Sequence, residues 1–235
     1  MTGPTSIKAI SFDVDGALWD FEGVMRRSLH RALLELERAD PEASAMLDVD
    51  RMIAIRDRVH CELRGKVWDL NEIRLESFRQ ALREAGRPND ALASRLTRVY
   101  FEHRDAGRRA FADALPALSK LRGTYRLGVL SNGNTPPEDL GLGGMFDFTV
   151  LARDHGGAEK PDLRIFEIAL DSAGCAAHEL VHVGDSPEND VAGARAAGVG
   201  SVWLNRDRQE RDTDVEPDWE IRSLGELEEI LCPGA

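Results

Sequence analysis

Residues 7–18 read IKAISFDVDGAL, a short and mostly apolar run that stops abruptly at Asp13. A run of this length, ended by charge and soon followed by a glycine, is typical of a buried strand in a parallel sheet. Similar runs recur later in the chain, at residues 127–130, 148–151, 180–183 and 199–204. Helical patterns separate the later runs, so the sequence predicts an α/β fold with a doubly wound, Rossmann-like parallel sheet.

A much longer interval lies between the first run and the second. It carries four apolar stripes at helical spacing, which begin at Met25, Met52, Leu75 and Leu92. Stripes of this kind belong to amphipathic helices that bury one face. The pattern predicts an all-helical domain inserted at residues 20–110, with residues 1–19 and 111–235 forming the α/β core.

The charge of the chain argues against polyanionic partners. The 235 residues include 30 basic and 42 acidic side chains, for a net charge of −12. An acidic surface repels nucleic acid and anionic membranes, so neither is an expected partner. A phosphate site in such a protein needs a local cation or a metal ion. Whether the protein is a monomer or a dimer is left open by the sequence.

The cysteine content and the hydropathy pattern favour a cytoplasmic location. The three cysteines are far apart and form no C-x-x-C pair, so disulfides and zinc sites are not expected. The first residues lack the apolar region of a signal peptide. No apolar run approaches the 18 residues that would suggest a transmembrane helix.

Polar side chains follow the predicted strands at the points where the strands end. In an open α/β sheet, ligands bind at the carboxyl ends of the strands. The strand ends carry the segments 13–16 (DVDG), 131–133 (SNG), 160–161 (KP) and 184–190 (GDSPEND). The sequence therefore predicts that four carboxylates, a hydroxyl and one of the four lysines of the chain meet at one edge of the sheet.

The carboxylates and the lysine each predict an opposite charge nearby. A cluster of buried carboxylates needs a cation, and hard oxygen ligands favour Mg²⁺. Lys160 precedes Pro161, a residue suited to the first position of a helix. A cation at the positive end of a helix is unfavourable, which predicts an anion close to Lys160. Ser186 and Pro187 are typical of an ordinary helix start, with Ser186 as its cap.

The segments DVDGAL, LSNG, KP and GDSPENDVAGARAAG occur in the order of the four motifs of the haloacid dehalogenase-like hydrolases. The chain resembles that family throughout, since the helical insertion looks like the helical cap of its subfamily IA. Within it, the tail around Trp203 and Trp219 is similar to pyrimidine 5′-nucleotidases, with phosphoglycolate phosphatases as close competitors. This resemblance implies a Mg²⁺-dependent phosphatase that hydrolyses a small phosphorylated metabolite.

The resemblance also implies a role for each residue at the strand ends. Asp13 would be the nucleophile that forms an aspartyl-phosphate, and Asp15 the general acid and base. Ser131, the backbone of Asn132 and Lys160 would bind the phosphoryl oxygens.

The metal ligands follow from the same resemblance. Mg²⁺ would be held by the Asp13 carboxylate, the Asp15 backbone carbonyl and Asp185. Asp190 would assist, either through water or by pairing with Lys160.

Two other functions stay open on the sequence. A phosphosugar mutase with the same motifs would retain the phosphoryl group. A catalytically weakened phosphate-binding homologue is suggested by Ala17, because the family usually has threonine there. Dehalogenation is disfavoured, since Asp15 supplies an acid and base that this chemistry does not need.

The specific phosphomonoester is not fixed by the motifs; a nucleoside monophosphate, phosphoglycolate or a sugar phosphate all fit. Trp19 and Phe21 have two interpretations, stacking on a nucleobase or packing at the start of the helical insertion. Selectivity is expected from the helical segment, and the sequence does not choose between arginines such as Arg56 and Arg64.

Overall fold

The computed structural model describes residues 7–63, 65–67, 69–210 and 214–231. Six parallel strands form one sheet in the order β3-β2-β1-β4-β5-β6. The strands are β1 (Ala9–Phe12), β2 (Arg126–Ser131), β3 (Phe148–Leu151), β4 (Leu180–Gly184), β5 (Gly200–Leu204) and β6 (Trp219–Ile221). The predicted α/β class and parallel sheet are confirmed. Arg64 lies outside the described residues.

Strand β1 occupies the centre of the sheet and pairs with both β2 and β4. The chain therefore leaves β1 in one direction along the sheet and later returns to its other side. Phe12 at the end of β1 is in register with Val129 and Val183. The segments that follow β1, β2 and β4 consequently emerge side by side at one edge, which is where an open α/β sheet binds ligands.

The long interval after β1 folds into helices, as the apolar stripes predict. They are α1 (Phe21–Ala39), α2 (Pro41–Ser44), α3 (Val49–Leu63), α4 (Leu70–Glu84) and α5 (Asp90–Ala106). Asp69 and Asn89 cap α4 and α5 by accepting hydrogen bonds from backbone N–H groups of the first turn. These helices bury a shared apolar core that includes Leu29, Phe78 and Tyr100.

The remaining α-helices lie in the same unit as the sheet. They are α6 (Ala114–Leu121), α7 (Leu163–Ala173), α8 (Gly193–Ala196) and α9 (Leu227–Leu231). The chain divides into two compact units, one formed by residues up to 20 and from 109 onward, the other by residues 21–108. No helix among the described residues is long and apolar enough to cross a membrane.

The helix after β3 begins later than the sequence predicts. Helix α7 starts at Leu163, and its cap is Asp162, whose Oδ1 accepts a hydrogen bond of 2.9 Å from the Arg164 amide. Pro161 is therefore not the first helical residue, and the expectation that it opens a helix is wrong. Lys160 lies in the preceding turn.

The segment after β4 matches its predicted start. Ser186 caps it, accepting a hydrogen bond of 3.1 Å from the Asn189 amide. Residues Pro187–Ala192 then form a wide π-helical turn that leads into the short helix α8. Strand β6 is not predicted by the sequence, because its three residues include the exposed Glu220 and form no apolar run.

Candidate active site

Asp13 is the first residue beyond the central strand. Its amide donates a hydrogen bond of 2.8 Å to the Val183 carbonyl, which continues the β1–β4 ladder by one step. The residue is only 8% exposed, and its Oδ1 lies 2.8 Å from Lys160 Nζ. Burial raises the pKa of Asp13, while the Lys160 charge opposes that rise. The carboxylate is thus poorly hydrated and depends on the charges around it.

Lys160 stands between two carboxylates. It is 3% exposed, and its Nζ lies 2.8 Å from Asp13 Oδ1 and 2.6 Å from Asp190 Oδ1. Burial by itself would lower the pKa of Lys160, but the two carboxylates raise it well above its usual range. Lys160 is therefore a permanent ammonium group at this site.

The backbone of Lys160 is held by the side chain of Asn132. Asn132 Nδ2 donates to the Lys160 carbonyl at 2.9 Å, and the Lys160 amide donates to Asn132 Oδ1 at 2.7 Å. The sequence interpretation gave Asn132 only a backbone role. Its amide side chain has the two complementary groups that bind both backbone polar groups of one residue, and this helps to fix where the ammonium lies.

Asp190 uses both of its oxygens. Oδ1 accepts from Lys160 Nζ and lies 3.0 Å from His182 Nε2, while Oδ2 accepts from the Ser186 amide at 2.9 Å. Burial would raise the pKa of Asp190, but Lys160 and His182 hold it far below its usual range. The sequence left two roles open for Asp190, a water-mediated contact with the metal or an ion pair with Lys160. In the structure Asp190 forms the ion pair with Lys160.

A buried polar chain continues behind Asp190. His182 Nδ1 lies 2.9 Å from Ser11 Oγ, and these two residues are register partners on β4 and β1. Burial lowers the pKa of His182. A neutral ring that donates from Nε2 to Asp190 and accepts at Nδ1 from Ser11 satisfies all three groups. Sequence reasoning missed this hydrogen-bonded chain. The available signal was one polar residue in each of two apolar runs, Ser11 in β1 and His182 in β4.

Three carboxylates converge on one point. One oxygen each from Asp13, Asp185 and Asp190 lies within 4.8 Å of the others. Burial, followed by the charges of Asp13 and Asp190, raises the pKa of Asp185 to about 8. Even with Asp185 protonated, one lysine does not balance both Asp13 and Asp190, and the surplus negative charge together with all-oxygen donors fits a hard divalent cation. The Asp185 backbone carbonyl is fixed by Trp203 Nε1 at 2.9 Å.

Glycines allow the carboxylates to approach the loops. A Cβ at Gly16, where φ is +88°, would overlap the Asp185 carboxylate. A Cβ at Gly133 would overlap Asp15 Oδ2, and one at Gly184 would overlap Asp190. At each of these three positions the absence of a side chain therefore makes room for a carboxylate, which comes from a different segment at Gly16 and Gly133 and from the following turn at Gly184.

Asp15 is oriented by a buried tryptophan. Trp19 Nε1 donates a hydrogen bond of 2.6 Å to Asp15 Oδ1, and Trp19 is fully buried. Asp15 Oδ2 and Ser131 Oγ both lie beside Gly133, whose amide donates to Ser131 Oγ at 3.1 Å. The suggestion that Trp19 stacks on a nucleobase is wrong, because its ring has no exposed face and its N–H is engaged.

Arg206 holds the loop that carries Ala17. Ala17 is fully buried, and its carbonyl accepts a hydrogen bond of 3.0 Å from Arg206 Nη2. The same guanidinium binds Asp113 with two hydrogen bonds of 2.9 and 3.1 Å. Backbone contacts thus support this loop where the usual threonine hydroxyl is missing.

The residues expected at the site come together at the strand ends. Asp13, Lys160, Asp185 and Asp190 form one buried cluster, and Asp15 and Ser131 flank Gly133 beside it. Four residues that the sequence did not single out for the site complete it, namely Ser11, Gly133, His182 and Trp203. The arrangement offers a buried carboxylate nucleophile, a second carboxylate for proton transfer, and a fixed cation.

Comparison with known proteins gives consistent similarities. A family model for haloacid dehalogenase-like hydrolases matches residues 7–198. Pyrimidine 5′-nucleotidase YjjG of Escherichia coli is 31% identical over 166 residues, 68% of this chain and 70% of that protein. The 5-amino-6-(5-phospho-D-ribitylamino)uracil phosphatase YigB of the same organism is 28% identical. The alignment covers 94% of this chain and 92% of that protein. A crystal structure of a 2-haloacid dehalogenase from Pseudomonas syringae superposes with a TM-score of 0.75 at 33% identity, covering 97% of this chain and all of that one.

Proposed function

The chain belongs to the haloacid dehalogenase-like hydrolases, and on that premise we propose that it is a Mg²⁺-dependent phosphatase of small phosphomonoesters. The observation that carries this proposal is that the segment after β1 presents two carboxylates with different partners, Asp13 beside Lys160 and Asp15 bound by Trp19. Hydrolysis of a phosphomonoester needs both a nucleophile and a group that protonates the leaving alkoxide. The named phosphatases and nucleotidases among the relatives support the same class.

In the first half-reaction, a carboxylate oxygen of Asp13 attacks phosphorus while the bond to the leaving oxygen breaks. The leaving oxygen takes its proton from Asp15, and the enzyme is left with an aspartyl-phosphate. In the second half-reaction, Asp15 removes a proton from water as that water attacks the phosphoryl group. Asp13 leaves as a carboxylate, so both groups regain their starting states.

Lys160 and Ser131 act on the phosphoryl oxygens. The fixed ammonium of Lys160 offsets negative charge beside Asp13, and the Ser131 hydroxyl donates a hydrogen bond. Asn132 contributes by binding the backbone amide and carbonyl of Lys160 with its side chain. Asp13, the Asp15 backbone carbonyl and Asp185 are the groups that would hold Mg²⁺. When bound, the ion neutralises the carboxylate cluster and allows an anionic substrate to approach.

The substrate is a small phosphorylated metabolite. The relatives include a pyrimidine 5′-nucleotidase, a phosphatase of a phosphorylated uracil derivative and a glyceraldehyde 3-phosphate phosphatase. We expect the substrate to fall among nucleoside monophosphates, sugar phosphates and phosphoglycolate. Measuring phosphate release from such a panel with Mg²⁺ present tests the proposal, and turnover of none of them would contradict it. Transfer of the phosphoryl group to a second position of a sugar, without phosphate release, would identify a mutase instead.

Dehalogenation is a second candidate, because the Pseudomonas syringae structure at 33% identity is described as a 2-haloacid dehalogenase. In that chemistry a carboxylate displaces halide from carbon, and no leaving group needs a proton. The position of Asp15, held by Trp19, favours phosphoryl chemistry over this alternative. Halide release from 2-chloropropionate decides the question, since the phosphatase proposal expects none above the background rate.

A further inference from the structure

The helical unit contains a buried guanidinium without an acidic partner among the described residues. Arg74 on α4 is 6% exposed. Its Nη2 donates a hydrogen bond of 3.1 Å to the Tyr100 hydroxyl, and its guanidinium lies 4.3 Å above the centroid of that ring. Its Nη1 is buried and has no hydrogen-bond partner in the described part of the chain. A buried charge without a counter-charge is costly, so this arrangement calls for an explanation.

Two further arginines add positive charge around Arg74. Arg104 on α5 is also 6% exposed and lies 4.8 Å above the Phe101 ring. Arg56 on α3 is partly buried, and its Nη2 lies 3.8 Å from Met25 Sδ. Burial first, and then the charges of Arg56 and Arg104, lower the pKa of Arg74 to about 10. We refer to Arg56, Arg74 and Arg104 as the arginine cluster.

Arg56 and Arg104 each pair with an exposed aspartate. Asp57 Oδ1 is 3.0 Å from Arg56 Nε, and Asp105 Oδ1 is 3.3 Å from Arg104 Nε. Both aspartate side chains are more than half exposed, so water screens these pairs. Asp105 is also shared with Arg108. Although the chain is strongly acidic, no carboxylate of the described residues pairs with Arg74 itself.

Stacking on Tyr100 accounts for the place of the Arg74 guanidinium but not for its unused Nη1. The unpartnered Nη1 of Arg74 can donate to a carboxylate or a phosphate group, the anions that a guanidinium recognises best. We propose that the arginine cluster binds an oxyanion, a carboxylate or phosphate group of a small molecule, within the helical unit. The anion would be a separate small ion or metabolite that carries such a group.

Anion binding is tested on the full chain with sodium malonate, a dicarboxylate that carries no phosphoryl group for the aspartate site. Thermal unfolding and calorimetric titration are measured in buffer with chelator, so that no metal ion recruits the anion. A ligand that binds only the folded state raises the unfolding midpoint with concentration. We expect malonate to stabilise the wild type, and Arg74→Met to weaken malonate binding by at least about tenfold because a charged hydrogen bond is lost.

The matched control is Arg83→Met. Arg83 lies on the same helix as Arg74, is exposed and pairs with Glu76, so this variant removes one charge without touching the cluster. It should bind malonate like the wild type. Equal malonate binding by Arg74→Met and the wild type, or no response of the wild type at all, would overturn the proposal.

Stability in anion-free buffer separates binding from a structural role. Because Arg74→Met removes an unpaired buried charge, we expect it to unfold at or above the wild-type midpoint in that buffer. A lower midpoint with an unchanged malonate response would mean that Arg74 only supports Tyr100. If the methionine variant does not fold, Arg74→Lys keeps the charge but loses the planar fork, and we expect it to lose most of the affinity. Full affinity in Arg74→Lys would contradict recognition by the guanidinium.

Discussion

Lys160 Nζ lies 2.6 Å from Asp190 Oδ1, and both side chains are almost completely buried. The same ammonium lies 2.8 Å from Asp13 Oδ1. Asp190 thus fixes the cation that faces Asp13, the proposed nucleophile, and hydrogen bonds through His182 to Ser11 fix Asp190. The position of the Lys160 charge beside Asp13 therefore depends on hydrogen bonds that extend to residues on β4 and β1.

Replacing Lys160 with methionine should abolish turnover and destabilise the fold. The variant leaves Asp13 and Asp190 buried without their shared cation, and breaking a buried pair in this way typically costs about 3–5 kcal/mol. Denaturant unfolding measures the loss, and added Mg²⁺ should recover part of it. The control is Lys120→Met, because Lys120 is exposed and pairs with Glu228 at the surface. Equal stability of the two variants would contradict the central place given to Lys160.

Replacing Trp19 with phenylalanine should lower kcat while leaving KM nearly unchanged. The variant keeps the buried ring but removes the hydrogen bond to Asp15 Oδ1, which orients the proton-transfer group. The loss of a hydrogen bond to a charged group is worth about 1.5–3 kcal/mol, or roughly 10- to 150-fold in rate. Steady-state kinetics measures the effect, with Trp219→Phe on β6 as the control. An unchanged kcat in Trp19→Phe would show that Asp15 needs no such support.

Asp113 should contribute stability that depends on pH. Burial alone would raise the pKa of Asp113, but hydrogen bonds from Arg206, the Leu224 amide and Ser223 outweigh it and lower the pKa. Because the folded-state pKa lies below the unfolded value, the stabilisation is present above about pH 4 and is lost as the pH falls through the folded pKa. Asp113→Asn should therefore destabilise the protein at pH 7 and make less difference at pH 3. Equal destabilisation at both pH values would exclude a role for the Asp113 charge.

Activity should require Mg²⁺ and should not be restored by Ca²⁺. Chelation leaves the surplus negative charge of Asp13, Asp185 and Asp190 uncompensated, which repels an anionic substrate. Calcium accepts more ligands at longer distances than magnesium and can bind Asp13 through both oxygens, leaving none for attack. Phosphate release is measured in chelator, then after adding back each ion. Full activity in chelator would show that the aspartate cluster is not a metal site.

The sequence predicts the sheet and the strand-end residues well because both depend on local pattern. The run from residue 7 to Phe12 stops where β1 stops, and parallel strands bring their carboxyl ends to one edge. The family resemblance is confirmed by the match over residues 7–198. Strand β6 was missed because its three residues have no apolar pattern.

The supporting contacts could not be predicted in the same way, because they join residues far apart in the chain. His182 and Ser11 meet only through the register of β4 and β1. Asn132 clamps Lys160 across two loops, and nothing in the LSNG segment distinguishes this from a backbone role. The helix expected to start at Pro161 starts two residues later, at Leu163, because Asp162 offers a cap that the Lys160 side chain does not.

The central claim, that Asp13 carries the phosphoryl group, is tested most directly by trapping the enzyme during turnover. The protein is mixed with its best substrate and Mg²⁺, quenched in acid within the first turnovers, digested and analysed by mass spectrometry. We expect a phosphoryl group on Asp13 in the wild type and none in Asp13→Asn, which should fold normally but lack turnover, since an amide is a poor nucleophile of nearly the same shape. A phosphoryl group on another residue, or turnover by Asp13→Asn above a few per cent of wild type, would contradict the account.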